Sequence, residues 1–312
     1  MNTVIYTHAD CRGHDMGPGH PECPERLDAI QDHLLATGLS VALDYREAPL
    51  AEAAQIERAH TTGYVAEIHD LLQRVAREGQ PQAVDPDTIV GPGTLAAALR
   101  AAGAAVAATD DVITGRASTA FCAVRPPGHH ATRDVAMGFC FFNNVAIAAR
   151  HALDVHGLER VAIIDFDVHH GNGTEDIIAG DERVLMCSYF QHPLYPYSGA
   201  VPKGTNMVNV PLPPYTRGAA MRQAVTEQWL PALEAFRPQM VFISAGFDAH
   251  REDDLGQMGL VEDDYRWITE TLVDVARRHA QGRIVSCLEG GYALSALARS
   301  VAAHLRVLAD VD

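Results

Sequence analysis

Short runs rich in β-branched and apolar residues alternate along the chain with longer stretches whose apolar positions recur every three or four residues. The short runs, at residues 3–6, 119–124, 160–166, 183–188, 207–210, 240–244 and 283–288, predict strands. The longer ones, at 24–37, 64–77, 95–113, 145–155, 218–236, 263–280 and 294–308, predict helices. Val161-Ala-Ile-Ile164 and Met240-Val-Phe-Ile243 are apolar without alternation. A strand with one wet face alternates, whereas one covered by helices on both faces does not. The pattern therefore predicts an α/β fold with a mostly parallel central sheet flanked by helices. No repeat, low-complexity tract or Pro/Gly/Ser-rich linker divides the chain, so residues 1–312 are expected to form a single domain.

In an open parallel sheet the ligand crevice lies beyond the carboxyl ends of the strands. Four predicted strands end in polar, chemically able residues beside glycines. They run into Arg125-Pro-Pro-Gly-His-His-Ala131, Asp165-Phe-Asp-Val-His-His-Gly-Asn-Gly173, Ala245-Gly-Phe-Asp248 and Glu289-Gly-Gly-Tyr292. If the second segment stays extended, Asp165, Asp167 and His169 share one face. Carboxylate and imidazole at that spacing suit a divalent metal, with zinc, iron, cobalt and manganese all accepting the set. Asp248 is the natural third ligand, and three protein ligands leave a position open for water and substrate. The competing reading is that Asp165 and Asp167 only cap a helix starting near Gly173.

His129 and His130 follow a stiff Pro-Pro-Gly turn that can present both rings at one point, and histidine titrates where a general base or acid must. Most of the 16 histidines are expected to be structural. Asp165 and Asn172 are candidates for orienting one ring each. Tyr292 lies on a Gly-Gly turn, where a phenol can donate to a carbonyl oxygen as it becomes an oxyanion; the plain alternative is a tyrosine packed at a turn.

Charge narrows the substrate classes. Against 40 Asp+Glu stand 24 Lys+Arg, a balance of −16. That disfavours a phosphate backbone or an anionic membrane surface and suits a cationic peptide or amine. Cys11, Cys23, Cys122, Cys140, Cys187 and Cys287 form no CxxC pair and are expected to be free thiols. The amino terminus lacks a basic region followed by a long apolar run, and the most apolar stretch, 95–108, is interrupted by Arg100. No signal peptide or membrane span is expected, and a soluble cytoplasmic protein is.

Taken together, the motifs resemble the zinc-dependent histone deacetylase superfamily, its class II branch in particular. The matching segments are His20-Pro-Glu-Cys-Pro-Glu-Arg-Leu27, 125–131, Gly138-Phe-Cys-Phe-Phe-Asn-Asn144, 165–175, Ser244-Ala-Gly-Phe-Asp-Ala249 and 288–292, all in family order. The resemblance implies the arginase/deacetylase fold, with a zinc ion held by Asp167, His169 and Asp248. It implies His130 as the general base and His129 as its electrostatic partner, oriented by Asp165. Asn172 stands where class I members usually carry aspartate. Its amide biases His130 toward the imidazolium less than a carboxylate would. Tyr292 would polarise the acyl carbonyl; class IIa enzymes, poor deacetylases, carry histidine there. The family also binds potassium, for which Asp165, main-chain oxygens around Asp167 and His169, and Ser188 and Tyr189 are the matching positions.

The expected activity is removal of acetyl or related short acyl groups from lysine side chains, on a protein, a peptide or a small acylated amine. Phe139 and Tyr195 match the family's tunnel aromatics, with Gly138 at the wall; ordinary core packing is the alternative for both rings. Leu255 occupies the position where eukaryotic polyamine deacetylases place a glutamate, which favours acyl-lysine. Yet Glu252, Asp253 and Asp254 stand beside it, so an acetylpolyamine amidohydrolase remains the closest rival. A non-catalytic acyl-lysine binding module would need a broken constellation, and the Asp-rich segments of a two-manganese ureohydrolase site are not apparent. Oligomeric assembly is possible.

Overall fold

The computed structural model describes residues 2–311. Its core is one parallel sheet built from eight strands in the order β2-β1-β5-β10-β9-β6-β7-β8. In chain order these are β1 (Thr3–Thr7), β2 (Leu43–Glu47), β5 (Thr119–Cys122), β6 (Val161–Asp165), β7 (Val184–Gln191), β8 (Met207–Leu212), β9 (Val241–Ala245) and β10 (Ile284–Leu288). A small antiparallel hairpin, β3 (Gln82–Ala83) and β4 (Ile89–Val90), lies apart from the sheet. The helices are α1 (Glu25–Ala36), α2 (Ala53–Ile56), α3 (Thr62–Glu78), α4 (Thr94–Ile113), α5 (Asn144–Asp154), α6 (Asn172–Ile178), α7 (Gly218–Ala224), α8 (Leu230–Phe236), α9 (Glu262–His279) and α10 (Leu294–Ala309).

The continuous apolar runs are the central strands, and every residue of β5, β6, β9 and β10 is buried. These four are neighbours in the sheet, and each is followed by one of the four motifs. Sheet order thus turns four separated sequence segments into one rim.

Two expectations needed revision. The edge strand β2 was not predicted, because Leu43-Asp-Tyr-Arg-Glu47 carries charge and only partly buried side chains, as edges that resist further pairing do. The expected helix over 218–236 is interrupted by a π-helical turn, Val225–Trp229, just before Pro231. Proline has no N–H to donate and its ring displaces the carbonyl one turn back, so the helix widens there. No helix among the described residues is long and apolar enough to cross a membrane.

Candidate active site and metal centre

Beyond β6 the chain leaves the sheet through a chain of short local contacts. Asp165 Oδ1 accepts the Asp167 N–H at 3.1 Å, and Asp167 Oδ1 accepts the His169 N–H at 2.8 Å. Asp167 Oδ1 also lies 3.0 Å from His169 Nδ1. From the end of β9, Asp248 accepts the Val168 N–H through Oδ1 at 2.9 Å and turns Oδ2 to within 3.2 Å of His169 Nδ1. Ligand atoms of Asp167, His169 and Asp248 all lie within 4.8 Å of one another, and the three residues are buried. Gly290, after β10, donates its N–H to Asp167 Oδ2 at 2.9 Å. A Cβ at Gly290 would overlap both the Asp167 and Asp248 carboxylates, so the backbone can approach only because no side chain is there. The capping alternative fails: α6 starts after Gly171 without a side-chain cap, and both carboxylates point into the cluster.

Asp165, Asp167, Asp248 and Glu289 are all fully buried, and among the described residues no Lys or Arg forms an ion pair with any of them. Burial, and then the neighbouring Asp167 charge, pushes Asp248 up to about 7. Burial likewise raises Asp165 and brings Glu289 to about 7. Asp167 is the carboxylate that stays ionised: burial opposes this, but the His129 and His169 imidazoles hold its acidity high. Burial would lower His169, yet its close contacts with the Asp167 and Asp248 carboxylates raise it to about 10. Buried negative charge of this kind is costly unless a cation offsets it. Asp248 Oδ2 is buried and accepts no hydrogen bond. The donor set, two carboxylates and one imidazole around an orphaned oxygen, fits a divalent metal ion with an open coordination position.

The adjacent histidines differ through their partners. His129 Nδ1 donates to Asp165 Oδ2 at 3.0 Å, and His130 Nδ1 donates to Asn172 Oδ1 at 2.7 Å. Burial alone would lower His129, but Asp165 and then Asp167 raise it well above the usual value. Burial, followed by the His129 and His169 charges, pushes His130 well down. With Nδ1 carrying the proton toward the amide oxygen, His130 keeps an unprotonated Nε2, the atom a general base needs.

Phe139 and Tyr292 meet edge to face with ring centroids 6.0 Å apart, and Tyr195 meets His130 at 5.2 Å. Phe139 and Tyr195 are both only partly buried. Gly138 (φ +55) lies against the His130 ring, with no room for a Cβ. Leu255 is partly buried and is held by its N–H donating to Asp253 Oδ1 at 3.0 Å. Tyr292 carries a phenol whose pKa is raised by burial and by the Asp248 charge, so it remains a donor. At the other candidate cation site, Ser188 lies opposite Asp165 in the β6–β7 register. Ser188 Oγ and the Tyr189 hydroxyl are buried without hydrogen-bond partners.

Several residues around the site were quoted within motifs without a role. Glu289 accepts the N–H groups of Gly128 at 2.6 Å and His129 at 3.1 Å, pinning the turn that presents the two histidines. Asp253 accepts the N–H groups of Tyr292 at 2.6 Å and Ala293 at 3.0 Å. Arg26 donates to the carbonyls of Gly291 and Glu289 and sits 5.0 Å over the Tyr292 ring. Asn143 and Asn144 donate to the carbonyls of Ala131 and Pro126 and so tie α5 to the same turn. The signal was a charged or amide side chain inside an otherwise buried motif; the partners it would find were not readable.

Comparison with known proteins follows the same segments. A sequence profile described as "Histone deacetylase domain" matches residues 20–308. The chain is similar to the histone deacetylase-like amidohydrolase of Pseudomonas aeruginosa, 41% identical over 88% of this chain and 73% of that protein. It is also similar to the chloroplastic histone deacetylase 14 of Arabidopsis thaliana, 36% identical over 99% of this chain and 77% of that one. Among solved structures, the HD domain of HDA15 superposes with a TM-score of 0.91 at 32% identity, covering 99% of this chain and 90% of that chain.

Proposed function

The chain belongs to the histone deacetylase family, and from that premise we propose that it is a zinc-dependent amidohydrolase removing acetyl or related short acyl groups from lysine side chains. The observation that carries the reading is the pair of adjacent histidines with opposite proton affinities beside the buried Asp167–His169–Asp248 cluster. Asp167, His169 and Asp248 would hold the zinc ion. The ion supplies Lewis acidity toward an amide carbonyl and toward water at neutral pH.

His130 Nε2 takes the proton of the attacking water and returns it to the departing amine. His129, held as a cation by Asp165, keeps His130 from protonating prematurely and offsets negative charge as the carbonyl oxygen becomes an oxyanion. Tyr292 donates a hydrogen bond to that oxygen. Phe139 and Tyr195, with Gly138 and Leu255, line a path for four methylenes and exclude water from them. A structural potassium ion at Asp165, Asp167, His169, Ser188 and Tyr189 is part of the reading, supported by the orphaned Ser188 hydroxyl. One catalytic domain is taken to span the chain, supported by its single continuous eight-stranded sheet.

Acetyl-lysine is preferred over acetylpolyamine because Leu255 offers no carboxylate to a second amine. The deciding measurement is turnover of an acetyl-lysine peptide against N-acetylputrescine and N8-acetylspermidine by the zinc-loaded protein. Peptide turnover at least as fast as polyamine turnover supports the assignment; much faster polyamine turnover overturns the substrate and keeps the chemistry. A metal-loaded protein inactive on every acylated amine would leave a binding module instead.

A further inference from the structure

At the opposite end of α5 from the catalytic turn lies a second cluster of metal-ligating side chains. Asp110 of α4, His151 in the last turn of α5 and His156 just beyond it converge on one point. Asp110 Oδ1 is 2.7 Å from His151 Nε2 and 2.6 Å from His156 Nε2, and all three ligand atoms lie within 4.8 Å of one another. The geometry is that of the catalytic cluster in another key, where one imidazole nitrogen faces two carboxylate oxygens at 3.0 Å and 3.2 Å. We propose that Asp110, His151 and His156 form a second site for a divalent transition-metal ion, separate from the catalytic one.

Bonds of about 2.0–2.2 Å to a tetrahedral ion put ligand atoms roughly 3.3 Å apart. Opening each contact by roughly half an ångström therefore admits the ion between the three ligand atoms, with the proton of each neutral imidazole moving from Nε2 to Nδ1. The small displacement is available because His156 sits past the end of α5, in a turn held to it by the Val155 N–H donating to the His151 carbonyl at 3.0 Å. His151 has a side chain 7% exposed, whereas His156 and Asp110 are 19% and 37% exposed, which leaves a solvent path to the point of convergence. Two imidazoles with one carboxylate select zinc, cobalt, nickel or copper over magnesium or calcium, which prefer all-oxygen sites. Arg58 is the cation whose charge reaches His151 and opposes binding, so the site is expected to be weaker than the fully buried catalytic one.

The test is a zinc titration of the chelated, full-length protein, read by competition with a chromophoric chelator, with cobalt absorption as a second readout. Wild type is expected to take up a tight and a weaker equivalent. His156→Ala and Asp110→Ala should each lose the weaker one while keeping the tight one and acetyl-lysine turnover. Asp167→Asn should lose the tight equivalent and keep the weaker. Loss of a direct ligand should exceed the roughly 10–100-fold affinity cost of losing a ligand's hydrogen-bonding partner. A single equivalent in wild type, or a weaker equivalent that persists in both His156→Ala and Asp110→Ala, overturns the proposal. Thermal melting of His156→Ala, a partly exposed position, shows that the variant remains folded.

Discussion

Two buried ionic clusters lie side by side in this molecule, and they have solved the same problem differently. In one, the Glu22 carboxylate is gripped by Arg125 through two guanidinium contacts and by Arg26 Nη1 at 3.1 Å. The guanidinium groups spend their remaining donors on backbone carbonyls, those of Cys11 and His14 for Arg125 and those of Gly291 and Glu289 for Arg26. Burial opposes ionisation of Glu22, but Arg125 drives its pKa far below the usual range. In the other, the carboxylates of Asp165, Asp167, Asp248 and Glu289 meet imidazoles, backbone N–H groups and the Ser244 hydroxyl but, among the described residues, no guanidinium or ammonium group, and two of them are pushed up to about 7. The first cluster is complete as a protein structure. The second gathers carboxylates without a guanidinium among the described residues, and a bound cation would complete it, which is the basis for reading it as the proposed metal centre and the first as scaffolding.

The sharpest way to break this comparison is to remove one carboxylate from each side. Asp167→Asn should lower deacetylation by about a thousandfold or more, equivalent to roughly 4 kcal/mol of barrier. In metal-free protein, Asp248→Asn should leave the unfolding free energy unchanged or raise it, since a repelled carboxylate is gone. Glu22→Gln should instead destabilise the fold by about 3–5 kcal/mol, because two buried guanidinium groups lose their counter-charge. Urea unfolding of the chelated variants measures both. A large stability loss in Asp248→Asn, or none in Glu22→Gln, would erase the distinction.

Tyr292→Phe removes a donor to the developing oxyanion and nothing charged, so turnover should fall by about 10²–10³-fold while zinc uptake is unchanged. Undiminished activity contradicts the mechanism. The smallest effect is a matter of pH, and its sign differs between the clusters. Asp248 has a raised pKa, so its share of metal-free stability is full in acid and is lost as pH rises through about 7. A bound cation removes that loss. The stabilisation given by zinc should therefore grow between about pH 6 and about pH 8, by up to about 1.4 kcal/mol per unit for each proton displaced. Glu22, with its lowered pKa, contributes stability throughout that range and loses it only in strong acid. Unfolding curves of loaded and chelated protein at the two pH values check this; a constant gap would refute the charge argument.

Much of the candidate site was legible because its residues are close in sequence and their spacing carries geometry. Asp165, Asp167 and His169 alternate out of a strand, and His129 and His130 are adjacent. Asn172 was legible as a candidate ring partner from its residue type and its place in the motif after Asp165, although the ring it meets, that of His130, lies 42 residues away. The supporting contacts were not legible, because each joins segments far apart. Glu289 reaches Gly128 across 161 residues, Asp253 reaches Tyr292 across 39, and Asp110 reaches His156 across 46. Nothing local marks such partners, since a carboxylate on a helix such as Asp110 looks in sequence like any solvated one.

The sequence by itself determined the strand–helix alternation, the burial of the middle strands and the chemistry waiting at their carboxyl ends, because periodicity and residue type are local properties. Only the tertiary structure decided that β5, β10, β9 and β6 stand side by side. Strand order depends on how crossovers pack helices on both faces of the sheet, and it is this order that brings Asp248 to His169 and Glu289 to the histidine turn. It also decided which buried carboxylates meet a guanidinium and which do not, since charge balance belongs to neighbours in space and not to neighbours in the chain.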